Sequence, residues 1–174
     1  MATLIQIVDE RGQSVGEVEK TAAHQKGGVW HRAISVFLFD STGRLLIQKR
    51  AKGKYHFAEL WANSCCSHPT VIESPAESAL RAMRTELGLS AEVSEVGVVR
   101  YEAFDETTGL SEKEHDHIFV GQFTGEVNAN CDEVEAVRWI TLAEFQSELA
   151  NTPEHFAPWL LAILHSGVLG HSLK

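Results

Sequence analysis

The sequence contains few cysteines, no long apolar run and no surplus of basic residues. It has three cysteines in 174 residues, two of them adjacent, and an odd number with this spacing does not form a disulfide framework. We therefore predict a reducing compartment, the cytoplasm. The longest clean apolar run, APWLLAIL, is far too short to cross a bilayer, so we predict no membrane insertion. The net charge of −9 argues against non-specific binding to nucleic acid.

The remaining composition is typical of a globular protein. Hydrophobic residues make up 44% of the chain and charged residues 22%, and the length predicts one domain over residues 1–174. The first residues, MATLIQIVDERG, are acidic where a signal peptide needs a basic and then an apolar segment, so we expect no secretion signal. Because the net charge is negative, a phosphorylated substrate would need a local basic cluster.

Short alternating segments predict a chain rich in β-strands. Two predicted hairpins flank the turns RGQ and STG, and a third strand pair follows the first long helix. Three helices interrupt the strands without regular alternation. This order favours an α+β fold, a mixed sheet sandwiched with helices, over a doubly wound fold. The predicted strands are LIQIVDE, SVGEVEK, RAISVFLFD, RLLIQKR, EVGVVRYEAF, HIFVGQFTG and EAVRWITL.

The clearest helix follows Ser74 and ends at Gly88. Pro75 occupies the first helical position, and Glu77 completes a capping box with Ser74. These signals fix both ends of the helix without reference to the rest of the fold. The two other predicted helices start at the Thr141–Glu144 capping box and at Pro158, the latter running to His165.

One face of this first helix is apolar, and a carboxylate lies at its edge. At about 100° per residue, Glu86 lies about 20° from Ala79 around the helix. A carboxylate aimed at the apolar side is costly unless a cation or a donor meets it. Alternatively, the side chain turns to solvent or pairs with an arginine. The predicted core-facing stripe consists of Ala76, Ala79, Leu80, Met83 and Leu87.

The segment WANSCCSHP sets two adjacent cysteines close to a histidine. Neighbouring side chains in an extended segment point to opposite faces, so Cys65 and Cys66 do not share a role. We interpret Cys65 as a small buried hydrophobe. A zinc-stabilised binding module using Cys65, Cys66 and His68 is one alternative, but adjacent cysteines suit zinc less well than a C-x2-C spacing.

The helix with its preceding loop resembles a degenerate Nudix box, G-x5-E-x7-R-E-U-x-E-E-x-G-U, where U is aliphatic. Nudix hydrolases use several of these glutamates to hold metals and activate water. This chain has lost two of them, at Ala82 and Thr85, and keeps Glu86, so the box alone supports hydrolysis weakly. The matching positions are Ser67, Glu73, Arg81, Ala82, Met83, Thr85, Glu86, Gly88 and Leu89.

Further segments resemble the type I isopentenyl-diphosphate isomerases, which are Nudix-fold enzymes. The resemblance runs from about residue 4 to residue 165, and its N-S-x-C-x-H-P element is absent from ordinary Nudix hydrolases. It implies interconversion of isopentenyl and dimethylallyl diphosphate, by addition and removal of protons through a carbocation-like intermediate. A Nudix hydrolase of a nucleotide or other diphosphate is the alternative. The matching segments are EKTAAH, HRAISVFLFD, LLIQKRAKGKY, LWANSCCSHP, RTELG, EKEHDHIF and FAPW.

The resemblance implies a catalytic cysteine at Cys66 and a catalytic glutamate at Glu114, on opposite sides of the substrate. Tyr101 matches a tyrosine that assists proton transfer beside the glutamate, although one extra residue separates it from EKE. A buried strand tyrosine is the alternative for Tyr101. Trp159 matches the tryptophan whose indole face lies against the isoprenoid, where it attracts a cation; its alternative is a core tryptophan.

The resemblance also implies a tightly bound divalent metal, Mn²⁺, Mg²⁺ or Zn²⁺, held by three histidines and two glutamates. On a strand, Glu112 and Glu114 face the same side, as ligands of one ion must. His115 and His117 face the other side, and we interpret them as packing or surface groups. We assign no functional role to His56, His155, His165 and His171. The implied ligands are His24, His31, His68, Glu112 and Glu114.

The substrate's diphosphate is expected to meet cations and a second metal ion. Glu86 matches the position where Mg²⁺ bridges protein and diphosphate, which suits an ion that uses few carboxylates plus phosphate oxygens. Ala82 stands where many family members have an arginine, so one diphosphate contact is missing or supplied from elsewhere. Without the resemblance, the loop KRAKGK would be read as a solvated charged loop. The implied contacts are Lys20, Arg50 and Lys54.

Overall fold

The computed structural model describes residues 2–170. Within that range the chain forms nine β-strands that hydrogen-bond into one mixed, curled sheet. The strands are β1 (Leu4–Val8), β2 (Ser14–Glu19), β3 (His31–Phe39), β4 (Leu45–Arg50), β5 (Trp61–Ala62), β6 (Cys65–Ser67), β7 (Val93–Asp105), β8 (Leu110–Gln122) and β9 (Val134–Ile140).

Four α-helices accompany the sheet in the described part of the chain. A short 3₁₀ turn, Pro153–His155, separates the last two. The described residues include no helix of the length and apolarity that a membrane crossing requires. The helices are α1 (Lys20–Ala23), α2 (Pro75–Leu87), α3 (Leu142–Asn151) and α4 (Pro158–Ser166).

The local signals of the three predicted helices are confirmed. Ser74 accepts a hydrogen bond from the Glu77 backbone N–H, the Glu77 side chain returns the bond, and Gly88 ends α2 with φ +64°. Only glycine adopts that left-handed conformation without steric cost. The Thr141 capping box begins α3, and α4 ends one residue later than predicted.

The predicted stripe on α2 is correct at three of its five positions. Ala79, Met83 and Leu87 are buried, whereas Ala76 and Leu80 are exposed. Ser78, Ala82 and Glu86 are buried instead. The helix is rotated so that its small and polar residues approach the sheet, which apolarity alone does not predict.

Strand β3 is the centre of the sheet. It pairs in parallel with β8 over nine positions, from His31–Glu114 to Phe39–Gln122, and antiparallel with β6 and β1. The predicted hairpin around STG is confirmed only next to its turn, since β3 and β4 pair only at Phe39–Leu45. Strand β4 pairs with β9 instead. The β1–β2 hairpin and the β7–β8 pair are confirmed.

Two hydrophobic cores lie on the two faces of this sheet. One contains Phe37, Tyr101 and Ile118 and is covered by α3 and α4. The other contains Ile34 and Val36 and is covered by α2. Alternation along β3 assigns successive residues to opposite cores. The result is the α+β sandwich that the sequence predicts.

Candidate active site

One cavity of about 140 Å³ lies between α2 and α4. Residues from four strands (β4, β6, β7 and β8), from α1, α2 and α4 and from the β4–β5 loop line it. Most of the residues singled out from the sequence are among them: Lys20, Arg50, Lys54, Cys66, His68, Glu86, Tyr101, Glu112, Glu114 and Trp159.

The two remaining predicted ligands, His24 and His31, adjoin this cavity within a buried cluster. One nitrogen or oxygen atom from each of five side chains lies within 4.8 Å of the others. Three histidines and two carboxylates at this spacing form the donor set of a divalent metal site. The five side chains are His24, His31, His68, Glu112 and Glu114.

Backbone contacts orient the histidines of this cluster. The Nδ1 atoms of His24 and His31 lie 2.7 Å from the carbonyl oxygens of Lys20 and Val29. Their Nε2 atoms are buried and have no hydrogen-bond partner among residues 2–170. Glu112 Oε2 is orphaned in the same way and lies 3.3 Å from His24 Nε2. Buried polar atoms without hydrogen-bond partners are energetically costly. A cation bound between the two Nε2 atoms and Glu112 Oε2 would satisfy all three, so these residues fit a metal ion.

The two carboxylates of the cluster have different environments. Burial and the neighbouring Glu114 carboxylate raise the pKa of Glu112 to about 7. Burial also opposes ionisation of Glu114, but the nearby His31 and His68 outweigh it and hold its pKa well below the usual range. His68 Nε2 lies 2.8 Å from Glu114 Oε1. The cluster therefore keeps at least one negative charge to attract a cation.

Cys66 and the pair formed by Tyr101 and Glu114 reach the cavity from strands on either side of β3. The Tyr101 hydroxyl donates a hydrogen bond to Glu114 Oε2. Cys66, on β6, lies opposite Ser35 of β3 in the sheet and is half-buried. Burial raises the pKa of the Cys66 thiol, and the Arg50 guanidinium offsets only part of this effect.

Cys65 faces the opposite side of the sheet from Cys66. It is fully buried in the core beneath α2. This geometry rules out the zinc module, since Cys65 does not reach the side where Cys66 and His68 lie. The interpretation of Cys65 as a small buried hydrophobe is correct.

The other end of the cavity is cationic. Arg50 is buried and donates to the carbonyl oxygens of Phe57 and His56, at 3.0 and 3.1 Å, so it is not part of a solvated loop. Burial lowers the pKa of Lys20, and the nearby Lys54 adds to this shift. Three cations at one end provide the local basic cluster that an acidic protein needs to hold a diphosphate.

Glu86 lies at this cationic end and accepts a 2.9 Å hydrogen bond from Gln48. It is buried, and burial raises its pKa despite the opposing effect of Lys54. The side chain neither turns to solvent nor pairs with an arginine, the two alternatives considered from the sequence. It is a carboxylate placed among cations at the cavity wall.

Trp159 on α4 is held firmly against the cavity. Its indole N–H donates to Asn63 Oδ1 at 2.9 Å, and Asn63 in turn donates to the Cys65 carbonyl. The Arg50 Cζ atom lies 5.3 Å from the indole ring centre. Trp159 is thus both a core residue and a cavity residue, as the two interpretations allowed together.

Sequence reasoning missed several residues of the cavity. Tyr55 and His56 come from the β4–β5 loop, and Glu133 forms an ion pair with Lys54 at the wall. Asp116 is buried beside the cluster and accepts a 2.8 Å hydrogen bond from Ser35. Alternation from Glu114 could have identified Asp116, but no periodic pattern marks His56, because it lies in an irregular loop.

The remaining histidines lie away from the cluster where the structure describes them. His115 and His117 are on the opposite face of β8, and His117 contacts Arg32 and Glu95. His155 and His165 lie on the 3₁₀ turn and α4. His171 lies outside the described residues. His56, which we assigned no functional role, differs from these in its location, because it is buried against Glu112.

Comparisons with known proteins agree with this fold. A family model of the NUDIX domain matches residues 29–160. A solved Deinococcus radiodurans structure superposes with a TM-score of 0.70 at 19% identity, covering 86% of this chain and 90% of that one. A MutT protein from Methanosarcina mazei superposes with a TM-score of 0.59 at 18% identity, covering 68% and 81%. The chain is a Nudix-domain protein.

Relatives with higher identity narrow this class. The isopentenyl-diphosphate Delta-isomerase of Streptomyces griseus is 44% identical over 164 residues, covering 94% of this chain and 82% of the relative. The enzyme of the same name from Nocardia farcinica is 42% identical, covering 92% and 91%. The chain belongs to the isopentenyl-diphosphate Delta-isomerase family.

Proposed function

We propose that the protein interconverts isopentenyl diphosphate and dimethylallyl diphosphate in isoprenoid biosynthesis. One observation carries the proposal: Cys66 and the Tyr101–Glu114 pair line one cavity, with the histidine–carboxylate cluster and the three cations around them. The family's reaction needs these parts, since it moves protons at two carbons of a substrate that carries a diphosphate. The hydrolase alternative is not favoured, because the relatives are named isomerases and the box has lost two glutamates.

Two proton transfers account for the reaction. A group on one side of the alkene gives a proton to the terminal carbon, and the alkene's electron pair forms the new C–H bond. A group on the other side removes a proton from the carbon next to the diphosphate-bearing carbon, and that C–H pair becomes the new double bond. Cys66 is one group and Glu114 the other. By microscopic reversibility, each is donor in one direction and acceptor in the other.

The residues around these two groups support the charge that develops between them. Tyr101 holds Glu114 and relays its proton through their hydrogen bond. Trp159 offers an aromatic face to the tertiary cation, an interaction of about 2 kcal/mol or more where water is absent. Its packing against Phe57, at 5.8 Å between ring centres, also helps to exclude the water that would trap the cation.

We assign two divalent cations to the site. His24, His31, His68, Glu112 and Glu114 would hold a tightly bound ion, Mn²⁺, Mg²⁺ or Zn²⁺. Glu86 would hold Mg²⁺ that accompanies the diphosphate, and Lys20, Arg50 and Lys54 would neutralise the diphosphate's remaining charge. When bound, the tight ion withdraws electron density from Glu114 and makes its protonated form a stronger acid.

The free thiols of Cys65, Cys66 and Cys131 suit a reducing cytoplasm. We therefore propose that the enzyme acts there. The net charge of −9 argues against a nucleic-acid partner for this small-diphosphate enzyme.

Incubation with isopentenyl diphosphate and Mg²⁺ in deuterated water tests the proposal. We expect NMR to detect dimethylallyl diphosphate carrying deuterium at the newly formed methyl group. Release of inorganic phosphate or diphosphate without isomerised product would overturn the assignment. The Cys66→Ala variant is the negative control, because it lacks one proton-transfer group and keeps all the proposed metal ligands.

A further inference from the structure

His56 is buried against Glu112, and it lies between two of the segments that carry the family resemblance, in neither of them. Its Nε2 atom contacts Glu112 Oε1, and the two side chains are only 4% and 3% exposed. The other carboxylate oxygen, Oε2, faces the Nε2 atoms of His24 and His31, at 3.3 and 3.9 Å. The two oxygens of Glu112 therefore have separate neighbours.

His56 is not a sixth member of the cluster. Its Nε2 atom is occupied by Glu112 Oε1, and the donor atoms that lie within 4.8 Å of one another come from five other residues. An ionised Glu112 accepts hydrogen bonds only, so Nε2 must carry the proton and donate it. Donation to a ligating carboxylate is how supporting residues orient metal ligands.

The loop that carries His56 is constrained on both sides of the residue. Arg50 donates to the carbonyl oxygens of His56 and Phe57, and the Phe57 N–H donates to Asp105 Oδ2 at 2.8 Å. Phe57 has φ +47°, a left-handed conformation that a residue with a side chain adopts at a cost and that surrounding contacts must enforce.

The imidazole ring of His56 is also held in place, by packing against two neighbouring rings. The His56 ring stacks on Tyr55 at 4.1 Å and 20° between planes. It also meets the His24 ring edge-on at 5.0 Å. A side chain held in this way presents its donor in one direction, which a flexible hydrogen-bonding residue would not do.

We propose that His56 is a positioning residue of the metal site: it binds Glu112 Oε1 and so leaves Oε2 as the single oxygen directed at the ion. This inference rests on the proposed metal site. It predicts that His56 governs how long the tight ion stays bound, while the fold of the metal-free protein depends on it much less.

Two substitutions separate the hydrogen bond from the ring packing. His56→Phe keeps a ring that stacks on Tyr55 but has no donor. His56→Gln places an amide N–H close to the position of Nε2. His115→Gln, a half-buried histidine on the opposite face of β8, is the matched control. The measurements are metal content by elemental analysis, the rate of Mn²⁺ loss to a chelator, and thermal unfolding with and without metal.

We expect His56→Phe to weaken Mn²⁺ retention roughly 10–100-fold, the usual range for a lost supporting residue. His56→Gln should recover much of that loss, and His115→Gln should match the unmodified protein. The stabilisation that Mn²⁺ adds to unfolding should shrink in His56→Phe, with the metal-free melting temperature nearly unchanged. A purely structural histidine would instead lower both melting temperatures together.

Three results would contradict the proposal. If the unmodified protein holds Mn²⁺ tightly and His56→Phe releases it at the same rate, His56 has no positioning role and the metal site stands. If His56→Gln is as weak as His56→Phe with both proteins folded, the donor is not what matters. If the unmodified protein holds no tight ion at all, the proposed metal site fails together with this inference.

Discussion

The histidine–carboxylate end of the cavity and its cationic end hold their side chains in different ways. At the first end, backbone carbonyls fix His24 and His31, and a buried loop residue fixes Glu112. At the second end, Lys54 is paired with the partly exposed Glu133. A diphosphate can replace that carboxylate. The first end is therefore held by buried contacts, whereas the second relies on an ion pair whose carboxylate is partly exposed.

Cys66 belongs to neither end, whereas Glu114 belongs to the histidine–carboxylate end. We expect Cys66→Ala to lower isomerisation by about 10²–10⁴-fold, the usual worth of a proton-transfer group. Metal content and diphosphate affinity should remain close to normal, because neither end uses the thiol. The measurements are turnover, elemental analysis and pyrophosphate titration.

Cys65→Ala is the control for that substitution. It removes a buried thiol on the α2 side and should keep most of the activity at a modest cost in stability. Equal loss of turnover in the two folded variants would remove Cys66 from its assigned role.

A substitution at the cationic end should affect Mg²⁺-dependent diphosphate binding and not the tightly bound ion. Glu86→Gln removes the carboxylate at the cationic end and should weaken diphosphate binding in Mg²⁺ roughly 10–100-fold. The tight ion should remain, because none of its five ligands changes. Elemental analysis of the purified variant measures the retained metal. Loss of the tight ion in Glu86→Gln would show that the two ends do not bind their ions independently.

Trp159 lies at the cationic end, where Arg50 lies over its ring. Phenylalanine keeps a weaker aromatic face and leucine keeps only apolar contact. We expect turnover in the order Trp, Phe, Leu, with the leucine variant down by roughly 30-fold for a lost interaction of about 2 kcal/mol. Diphosphate affinity should change much less. A stable leucine variant as fast as the phenylalanine variant would reduce Trp159 to packing.

The smallest effect should come from Glu133. If its carboxylate competes with substrate for Lys54, Glu133→Gln should tighten binding of inorganic pyrophosphate by up to about fivefold, since exposed ion pairs contribute about 0–1 kcal/mol. Glu135→Gln is a matched control, because Glu135 pairs with Lys49 at 2.8 Å nearby. Calorimetric titration measures both. Unchanged or weaker pyrophosphate binding in Glu133→Gln would show that the Glu133 carboxylate does not compete with the ligand for Lys54.

Local signals predicted the elements of this fold better than their pairing. The Ser74 capping box fixed the start of α2, because both partners lie within one turn. The separation of Cys65 from Cys66 followed from strand alternation alone. The STG hairpin is confirmed only at its turn, because β6 and β8 take the two edges of β3, and partners distant in sequence leave no local pattern.

Site residues on regular strands could be predicted from the sequence, whereas site residues in the irregular β4–β5 loop could not. Glu112 and Glu114 lie on a strand, so their shared direction could be deduced, and the family resemblance supplied the histidines. His56 and Tyr55 lie in a loop whose shape depends on Arg50 and Asp105. Their position results from tertiary contacts between distant residues, which periodicity does not encode.

The parallel pairing of β3 with β8 has a consequence for the order in which the molecule is assembled. The bond from Ser35 to Asp116 joins residues 81 positions apart, and such long-range pairings form slowly. Three histidines of the cluster are synthesised before α2, and both glutamates after β7. A slip of one residue along β8 would turn Glu112 and Glu114 away and bring His115 inward. All five side chains would therefore meet around one metal ion only in chains that have the correct β8 register.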